Sequence, residues 1–121
     1  MAGQTEFTDH VMDLRALIPG IAKRRMFGGV GISAGAVQFA IITGDTLYFV
    51  VDDLTRPKYE EMGSTCFSYQ TRKRKVEVRR YYEVPAEMLD DQERLLELAQ
   101  ESLVVAARTV RVKKKSKRTL Q

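Results

Sequence analysis

Residues 37–51 read VQFAIITGDTLYFVV and carry a strong apolar alternation. The alternation runs on both sides of Gly44 and Asp45, a pair of residues typical of a tight hairpin turn. The pattern therefore predicts two neighbouring antiparallel strands, one centred on Phe39 and the other on Phe49.

Three further strands and three helices are predicted around this hairpin. A weaker strand from Met26 to Ile32 precedes it, and alternation from Thr65 to Val78 predicts a second hairpin with its turn at 71–75. Apolar residues at helical spacing, together with capping residues, predict helices over residues 7–18, 53–63 and 90–108. The element order is thus α-β-β-β-α-β-β-α. It predicts an α+β fold, a two-layer α/β sandwich in which the helices cover one face of an antiparallel five-stranded sheet.

The positive charge of the chain is concentrated near its last residue. The 121 residues carry a net charge of +4, but residues 111–121 hold six of the 20 basic residues and none of the 16 acidic ones. Residues 1–110 therefore contain 14 basic and 16 acidic residues, a net charge of −2. We expect one domain over 1–110, followed by a basic, disordered tail over 111–121 that has too few apolar residues to fold.

Composition argues against several classes of protein. A single cysteine forms no disulfide framework within the chain, and with a single histidine it leaves too few ligands for a structural zinc site. No apolar run approaches the roughly 20 residues that span a bilayer, and the first residues lack the features of a signal peptide. We therefore expect a cytoplasmic protein without a bound metal.

The glycine-rich segment 28–34 formally fits a dinucleotide-binding fingerprint. Gly29, Gly31 and Ala34 occupy its G-x-G-x-x-A positions, and Asp52 follows about twenty residues later. That fingerprint requires glycines that open a helix, whereas these lead into a predicted turn and strand. We interpret them as places where a strand bulges or a helix crosses closely, and we expect no cofactor.

No set of residues meets the requirements of an active site. Asp52 and Asp53 are adjacent, so their side chains leave a strand in opposite directions and a shared ligand is unfavourable. They are better explained by capping of the next helix, with Asp53 or Thr55 as acceptor, and by pairing with Arg56. The histidine and the cysteine have no catalytic partner in their own segments. The sequence predicts a protein that is not an enzyme, without catalytic residues.

Basic residues in two places are candidate contacts for nucleic acid. One group surrounds the second predicted hairpin, next to three tyrosines, and the other lies in the predicted tail. Aromatic faces beside guanidinium groups can stack bases and hold phosphates, but charged turns are also commonly only solvated. Both interpretations are open for Arg72, Lys73, Arg74, Lys75, Arg79, Arg80, Lys113, Lys114 and Lys115.

The second face of the predicted sheet is apolar, and the three helices are all used on the first. The residues assigned to this uncovered face are Ala40, Ile42, Tyr48 and Val50. An uncovered apolar face predicts a partner. We expect either a homodimer or docking on another protein.

Four short segments, in the same order, resemble the TfoX N-terminal domain family. They are RMFGGVG at 25–31, FA and DTLY between 39 and 48, VDD and RP between 51 and 57, and YYEVP at 81–85. The resemblance runs from about Phe7 to Arg108. It implies a two-layer α-β3-α-β2-α fold, similar to the order predicted above.

The same resemblance implies a regulator of competence genes in the Sxy/TfoX group, whose best-known members help the cAMP receptor protein activate transcription at DNA-uptake promoters. The partners it implies are the cAMP receptor protein or RNA polymerase, and it implies no catalytic residue. Full-length regulators of this type add a C-terminal helical domain, so a stand-alone N-terminal module is expected here. The motif positions are expected to be architectural: Phe27, Gly28, Gly29, Gly31, Asp52, Asp53, Arg56 and Pro57.

Overall fold

The computed structural model describes residues 8–26 and 29–120, apart from the side chains of Arg15, Met26 and residues 109–120. The first helix, α1, covers residues 8–12 and continues as a 3₁₀ turn over Asp13–Ala16. The strands are β1 (Ile21–Met26), β2 (Gly29–Ala34), β3 (Val37–Thr43), β4 (Thr46–Val50), β5 (Cys66–Gln70) and β6 (Lys75–Glu83). The other helices are α2 (Arg56–Glu61), α3 (Ala86–Leu89) and α4 (Gln92–Leu120).

The strands form one antiparallel sheet in the order β1-β2-β3-β4-β6-β5. This confirms the predicted α+β class, but the described residues contain six strands, so the predicted number of five is wrong. The strand predicted from Met26 to Ile32 belongs to two strands, because Met26 ends β1 and Gly29 begins β2. Phe27 and Gly28 lie outside the described residues.

The missing strand of the prediction is β1, which lies at one edge of the sheet. Its residues Lys23, Arg24 and Arg25 are all exposed, so the segment shows no alternation of apolar and polar residues. A strand at an edge is held by one neighbour and needs little burial, and charged residues are common there. A prediction based on apolar alternation therefore passes over it.

The helices pack on one face of the sheet, which we call the inner face. Apolar side chains from both layers form one buried cluster: Ile32, Ala40, Ile42, Leu47 and Phe49 from the strands, and Leu95, Leu98, Ala99, Val105 and Ala106 from α4. Ser102 of α4 connects the layers by hydrogen bonding. Its buried Oγ lies 2.8 Å from the carbonyl oxygen of Phe39 and 3.0 Å from that of Val50. One side chain thus connects the helix to two neighbouring strands.

Three of the four residues predicted on the uncovered face are buried in this core. Ala40 and Ile42 are 0% exposed and Val50 is 1% exposed, whereas Tyr48 is partly accessible. A buried side chain offers no surface to a partner. The prediction of Ala40, Ile42 and Val50 as an interface is therefore wrong.

The pairing of β3 with β4 explains this error for Ala40 and Ile42. The two-residue turn places Ile42 opposite Leu47 and Ala40 opposite Phe49. Directly opposed residues share a face of the sheet, so an even-numbered residue of β3 shares its face with an odd-numbered residue of β4. The prediction had grouped odd-numbered residues from both strands, which assigned Ala40 and Ile42 to the wrong face.

The last helix is longer than predicted, since α4 continues to Leu120 instead of ending near Arg108. After Pro85 the sequence contains no glycine or proline that would stop a helix, and lysine and arginine have good helix propensity. The helical backbone thus includes residues assigned to the predicted tail, while the domain boundary at residue 110 stays a prediction. None of the helices in the described part combines the length and the apolar character needed to cross a lipid bilayer.

Candidate interaction surface

The face of the sheet opposite the helices, which we call the outer face, carries an apolar cluster of its own. Because Ala40 and Ile42 face the helices, Ile41 between them faces outward, opposite Tyr48 of β4. The ring of Tyr48 packs edge-on against Phe67 of β5, with the ring centroids 5.2 Å apart. Ile41 and Phe67 are buried, yet neither belongs to the core cluster that includes the helices.

The outer-face cluster becomes more accessible toward the end of β5. Tyr69 lies with its ring centroid 6.1 Å from that of Phe67 and is 48% exposed. Burial raises the pKa of the Tyr48 phenol, and the carboxylate of Glu83, its neighbour on β6, raises that pKa further. The phenol of Tyr48 is therefore neutral at physiological pH. The cluster presents uncharged aromatic edges to any partner.

Four successive cations follow Tyr69 closely along the chain and form the hairpin tip, which we define as residues 72–75. All four are exposed, and none forms an ion pair with another described residue. Thr71 orders the turn, because its Oγ1 accepts hydrogen bonds from the N–H groups of Lys73 and Arg74 at 3.3 and 3.1 Å. The tip therefore displays four positive charges next to an exposed aromatic ring.

Arg79 and Arg80 differ from the hairpin tip because both make contacts with other elements of the fold. Arg79 lies 3.7 Å from Glu60 in α2, and its carbonyl oxygen accepts a hydrogen bond from Nε of Arg56 at 3.3 Å. The carbonyl oxygen of Arg80 accepts a hydrogen bond of 2.7 Å from the N–H of Val51. These two residues connect β6 to its neighbours. The structure thus divides the predicted basic group into an exposed tip and a pair with structural contacts.

The other predicted basic group, Lys113, Lys114 and Lys115, lies on the helical backbone of α4. The structure does not describe the side chains of these three residues. Their contact with nucleic acid stays a prediction.

Asp52 organises the turn that leads into α2. Its Oδ1 accepts hydrogen bonds from the N–H groups of Leu54 and Thr55, both at 3.0 Å. Burial acts to raise the pKa of Asp52, but the hydrogen bonds from Thr55 and Leu54 outweigh it and lower the pKa, assisted by Arg108 at 3.7 Å. The carboxylate of Asp52 therefore stabilises the turn.

The residues that follow Asp52 serve the same turn. The prediction that Asp53 or Thr55 caps α2 is wrong. The side chain of Thr55 makes no capping hydrogen bond to the helix and instead contacts Asp52, and the carboxylate of Asp53 accepts from the guanidinium of Arg56. The predicted ion pair between Asp53 and Arg56 is present at 2.7 Å. Arg56 and Pro57 form the first turn of α2. The geometry uses these motif residues to shape the backbone.

The glycines of the formal fingerprint lie in a strand. Gly29 and Gly31 belong to β2, so they do not open the helix that dinucleotide binding by this motif requires. A Cβ atom on Gly29 would press against the carbonyl oxygen of Ile42 and would lie 2.9 Å from Cγ2 of Thr43. Glycine is needed at this position because β2 and β3 approach closely.

Comparison with family models identifies the domain. The model of the TfoX N-terminal domain matches residues 13–106 of the 121. The chain belongs to the TfoX N-terminal domain family. This confirms the resemblance seen in the four sequence segments. A search of curated proteins found no match.

The match covers the surfaces described above. In this TfoX N-terminal domain, residues 13–106 begin at the 3₁₀ turn and end within α4, so they include the outer face, the hairpin tip and all six described strands. The helical residues 107–120 lie beyond the match. Surfaces within the matched part therefore belong to the family fold.

A cleft of about 270 Å³ lies between the first helical segment of the TfoX N-terminal domain and the start of α4. His10, Asp13 and Asp90 contribute polar atoms to it, and Nε2 of His10 lies 3.1 Å from the carbonyl oxygen of Leu89. Among the described residues, no three His, Cys, Asp or Glu side chains are arranged to hold a metal ion. The outer face and the hairpin tip are therefore the stronger candidate site.

Sequence reasoning missed Ile41 and Phe67 on the outer face and the three cations of β1. The parity of the two-residue turn would have assigned Ile41 correctly. No comparable signal marks β1, whose only apolar residues with strong strand character stand at its ends.

Proposed function

We propose that this TfoX N-terminal domain is a non-enzymatic interaction module that regulates competence genes through contacts with the transcription machinery. Membership in the family supports a competence-related regulatory role. The expected partner, from the resemblance to Sxy/TfoX regulators, is the cAMP receptor protein or RNA polymerase in the cytoplasm.

The outer-face cluster is the observation that carries this proposal. Tyr48, Phe67 and Tyr69 pack in a row on the outer face, where Tyr69 is half exposed and Tyr48 partly accessible, and the buried ring of Phe67 supports both. Aromatic residues are enriched in the centres of protein interfaces because they bury much area at small entropic cost. A protein partner is the natural cover for such a surface.

The arrangement of the charged residues supports a role without catalysis. Asp52 and Asp53, the most prominent adjacent carboxylates, form the turn before α2. Their hydrogen bonds and ion pair would have to break before either could transfer a proton or bind a substrate. Catalysis commonly needs titratable groups gathered in a pocket with displaced pKa values, whereas these are used in folding.

The test is capture of partners from the native host by the tagged chain. We expect wild type to retain the cAMP receptor protein or RNA polymerase, and Tyr69→Glu to lose it. Val104→Glu is the matched control, because Val104 is also an exposed apolar residue, 55% exposed, but lies on α4. Equal capture by both variants, or no capture by wild type in repeated experiments, contradicts the proposal.

Self-association through the same outer face is the second form of a protein contact. A homodimer would bury the aromatic cluster of both copies. Light scattering at micromolar concentration is the direct measurement, and a monomeric mass there contradicts the homodimer.

Nucleic-acid binding is the second candidate function, favoured by the exposed cations of the hairpin tip next to Tyr69. We expect DNA binding that weakens steeply with salt, because counterions are released from the phosphates. If binding disappears when residues 111–121 are removed, it is non-specific attraction by that segment. If binding survives this deletion and is lost in Arg72→Glu/Arg74→Glu, the hairpin tip is the contact.

A further inference from the structure

In the described part of the chain, the strand β1 has a free hydrogen-bonding edge. It is the first strand in the order of the sheet and pairs only with β2. Among the described residues, no backbone hydrogen bond joins Ala22–Arg25 to any element other than β2. Within residues 8–26 and 29–120, nothing pairs with the N–H and C=O groups that point away from β2, and these are the groups that another strand would use.

The geometry of this edge is regular. All six residues from Ile21 to Met26 pair with β2 in an unbroken register, whereas a register shift occurs in β5, the strand at the opposite edge, between Cys66 and Phe67. A bulge twists an edge and hinders pairing with a new strand. An edge of six residues is about 20 Å long, which suits an extended peptide.

The charge of this edge is positive on both faces of the sheet. Lys23, Arg24 and Arg25 are successive and exposed, so Arg24 projects to one face and its two neighbours to the other. Their partners on β2 are Ile32, Gly31 and Val30, which carry no charge. No ion pair joins these three cations to another described residue, in contrast to Arg56, Lys58, Arg79, Arg94 and Arg108.

A second copy of the chain is a poor occupant of this edge. Antiparallel pairing of β1 with another β1 would set the cations of one copy directly against those of the other, and opposed like charges destabilise a sheet. A strand with several successive acidic residues would instead set opposite charges against each other. Each acidic side chain would lie across from a cation while the two backbones exchange hydrogen bonds.

We propose that the free edge of β1 binds an acidic, extended segment of another protein, which joins the sheet as an additional strand. Backbone hydrogen bonds hold the segment, and pairing with Lys23, Arg24 and Arg25 selects acidic sequences. This contact is separate from the outer-face cluster. It stands or falls independently of the competence role.

The test uses the purified full chain and a fluorescein-labelled peptide of about ten residues, with three successive aspartates flanked by valine and threonine. We expect saturable binding by fluorescence anisotropy. The triple variant Lys23→Glu/Arg24→Glu/Arg25→Glu should weaken binding by at least about tenfold, because charge pairing and on-rate both depend on these residues. The matched control Lys73→Glu/Arg74→Glu/Lys75→Glu makes the same change of charge at the hairpin tip and should leave affinity within about twofold.

A second peptide separates strand pairing from simple charge attraction. It has the same sequence but carries N-methyl groups on alternate backbone amides, so its charge is unchanged while it cannot form the ladder of hydrogen bonds. We expect it not to bind. Equal binding of both peptides, or an equal loss of peptide affinity in both triple variants, overturns the proposal. The charges of Lys23, Arg24 and Arg25 would then serve only to prevent edge-to-edge aggregation.

Hydrogen exchange on the wild-type chain gives a readout that needs no folded variant. Among Ala22–Arg25, every second amide, the one whose N–H points away from β2, should gain protection when the acidic peptide is added. Absence of that protection at saturating peptide overturns the proposal. The proposal is also overturned if oligothymidine displaces the labelled peptide at a lower concentration than the unlabelled peptide does. That result would identify the edge as a nucleic-acid contact.

Discussion

Gly29 shows at the scale of one residue why β2 and β3 fit together. Its missing side chain leaves room for the carbonyl oxygen of Ile42 and the methyl group of Thr43. Gly29→Ala should lower the free energy of unfolding by about 1–3 kcal/mol, because the new methyl group forces the strands apart. Urea denaturation measures this loss, and Ser33→Ala in the same strand should cost less than about 0.5 kcal/mol. A stable Gly29→Ala variant would show that the strands can separate locally at no cost.

Asp52 gives a second prediction for a single side chain. Asp52→Ala removes the acceptor for two N–H groups and should cost about 1 kcal/mol at neutral pH, whereas Asp53→Ala removes only an exposed ion pair and should cost less than about 0.5 kcal/mol. Urea denaturation of both variants at neutral pH measures these losses. Equal costs for the two would contradict the different roles given to the adjacent carboxylates.

The same carboxylate makes stability depend on pH. Because the folded-state pKa of Asp52 is lower than the value of 3.8 in the unfolded chain, the folded state binds fewer protons in this range. The contribution of its charge is therefore complete above that value and is lost as the pH falls through the folded-state pKa. The difference in unfolding free energy between wild type and Asp52→Ala should narrow in acid. A difference that stays constant down to about pH 2 would mean that the charge of Asp52 contributes nothing.

At the scale of elements, Ser102 determines how α4 lies on the sheet. Its hydroxyl serves the carbonyl oxygens of Phe39 and Val50, which belong to different strands. Ser102→Ala leaves these buried acceptors without that donor and should cost about 1–3 kcal/mol in urea denaturation. Val104→Ala, on the exposed side of the same helix, should cost less than about 0.5 kcal/mol. Similar costs for both would indicate that apolar packing alone positions α4.

The elements that could be predicted are those in which apolar residues recur at every second position, as in strands, or at every third to fourth position, as in helices. The hairpin around Gly44 and Asp45 was visible because its strands are short apolar runs and its turn has a specific composition. The edge strand β1 was not visible, because exposure removes the alternation from Lys23 to Arg25. The faces of β3 were within reach of sequence reasoning, since the length of the turn alone fixes which residues are opposed. The outer-face cluster also depends on the long-range pairing of β4 with β6 and of β6 with β5, which no local pattern specifies.

At the scale of the whole molecule, the residues of α4 beyond the family match are expected to contribute little to the free energy of unfolding. The family match ends at residue 106, and Ala106 is also the last buried residue among the side chains that the structure describes. Deletion of residues 111–121 should therefore change the free energy of unfolding by less than about 0.5 kcal/mol. Urea denaturation of the shortened chain measures the change, and a loss above about 2 kcal/mol would show that the final turns of α4 pack on the body.

The charge at the end of α4 also affects how the protein binds to ion-exchange resins. The final segment is strongly basic while residues 1–110 carry a net charge of −2. A cation-exchange resin therefore captures the intact chain by one end of its last helix, although the body by itself is acidic. A single proteolytic cut near residue 110 converts the product into a species that an anion-exchange resin retains, so loss of the end of α4 is visible as a change of column.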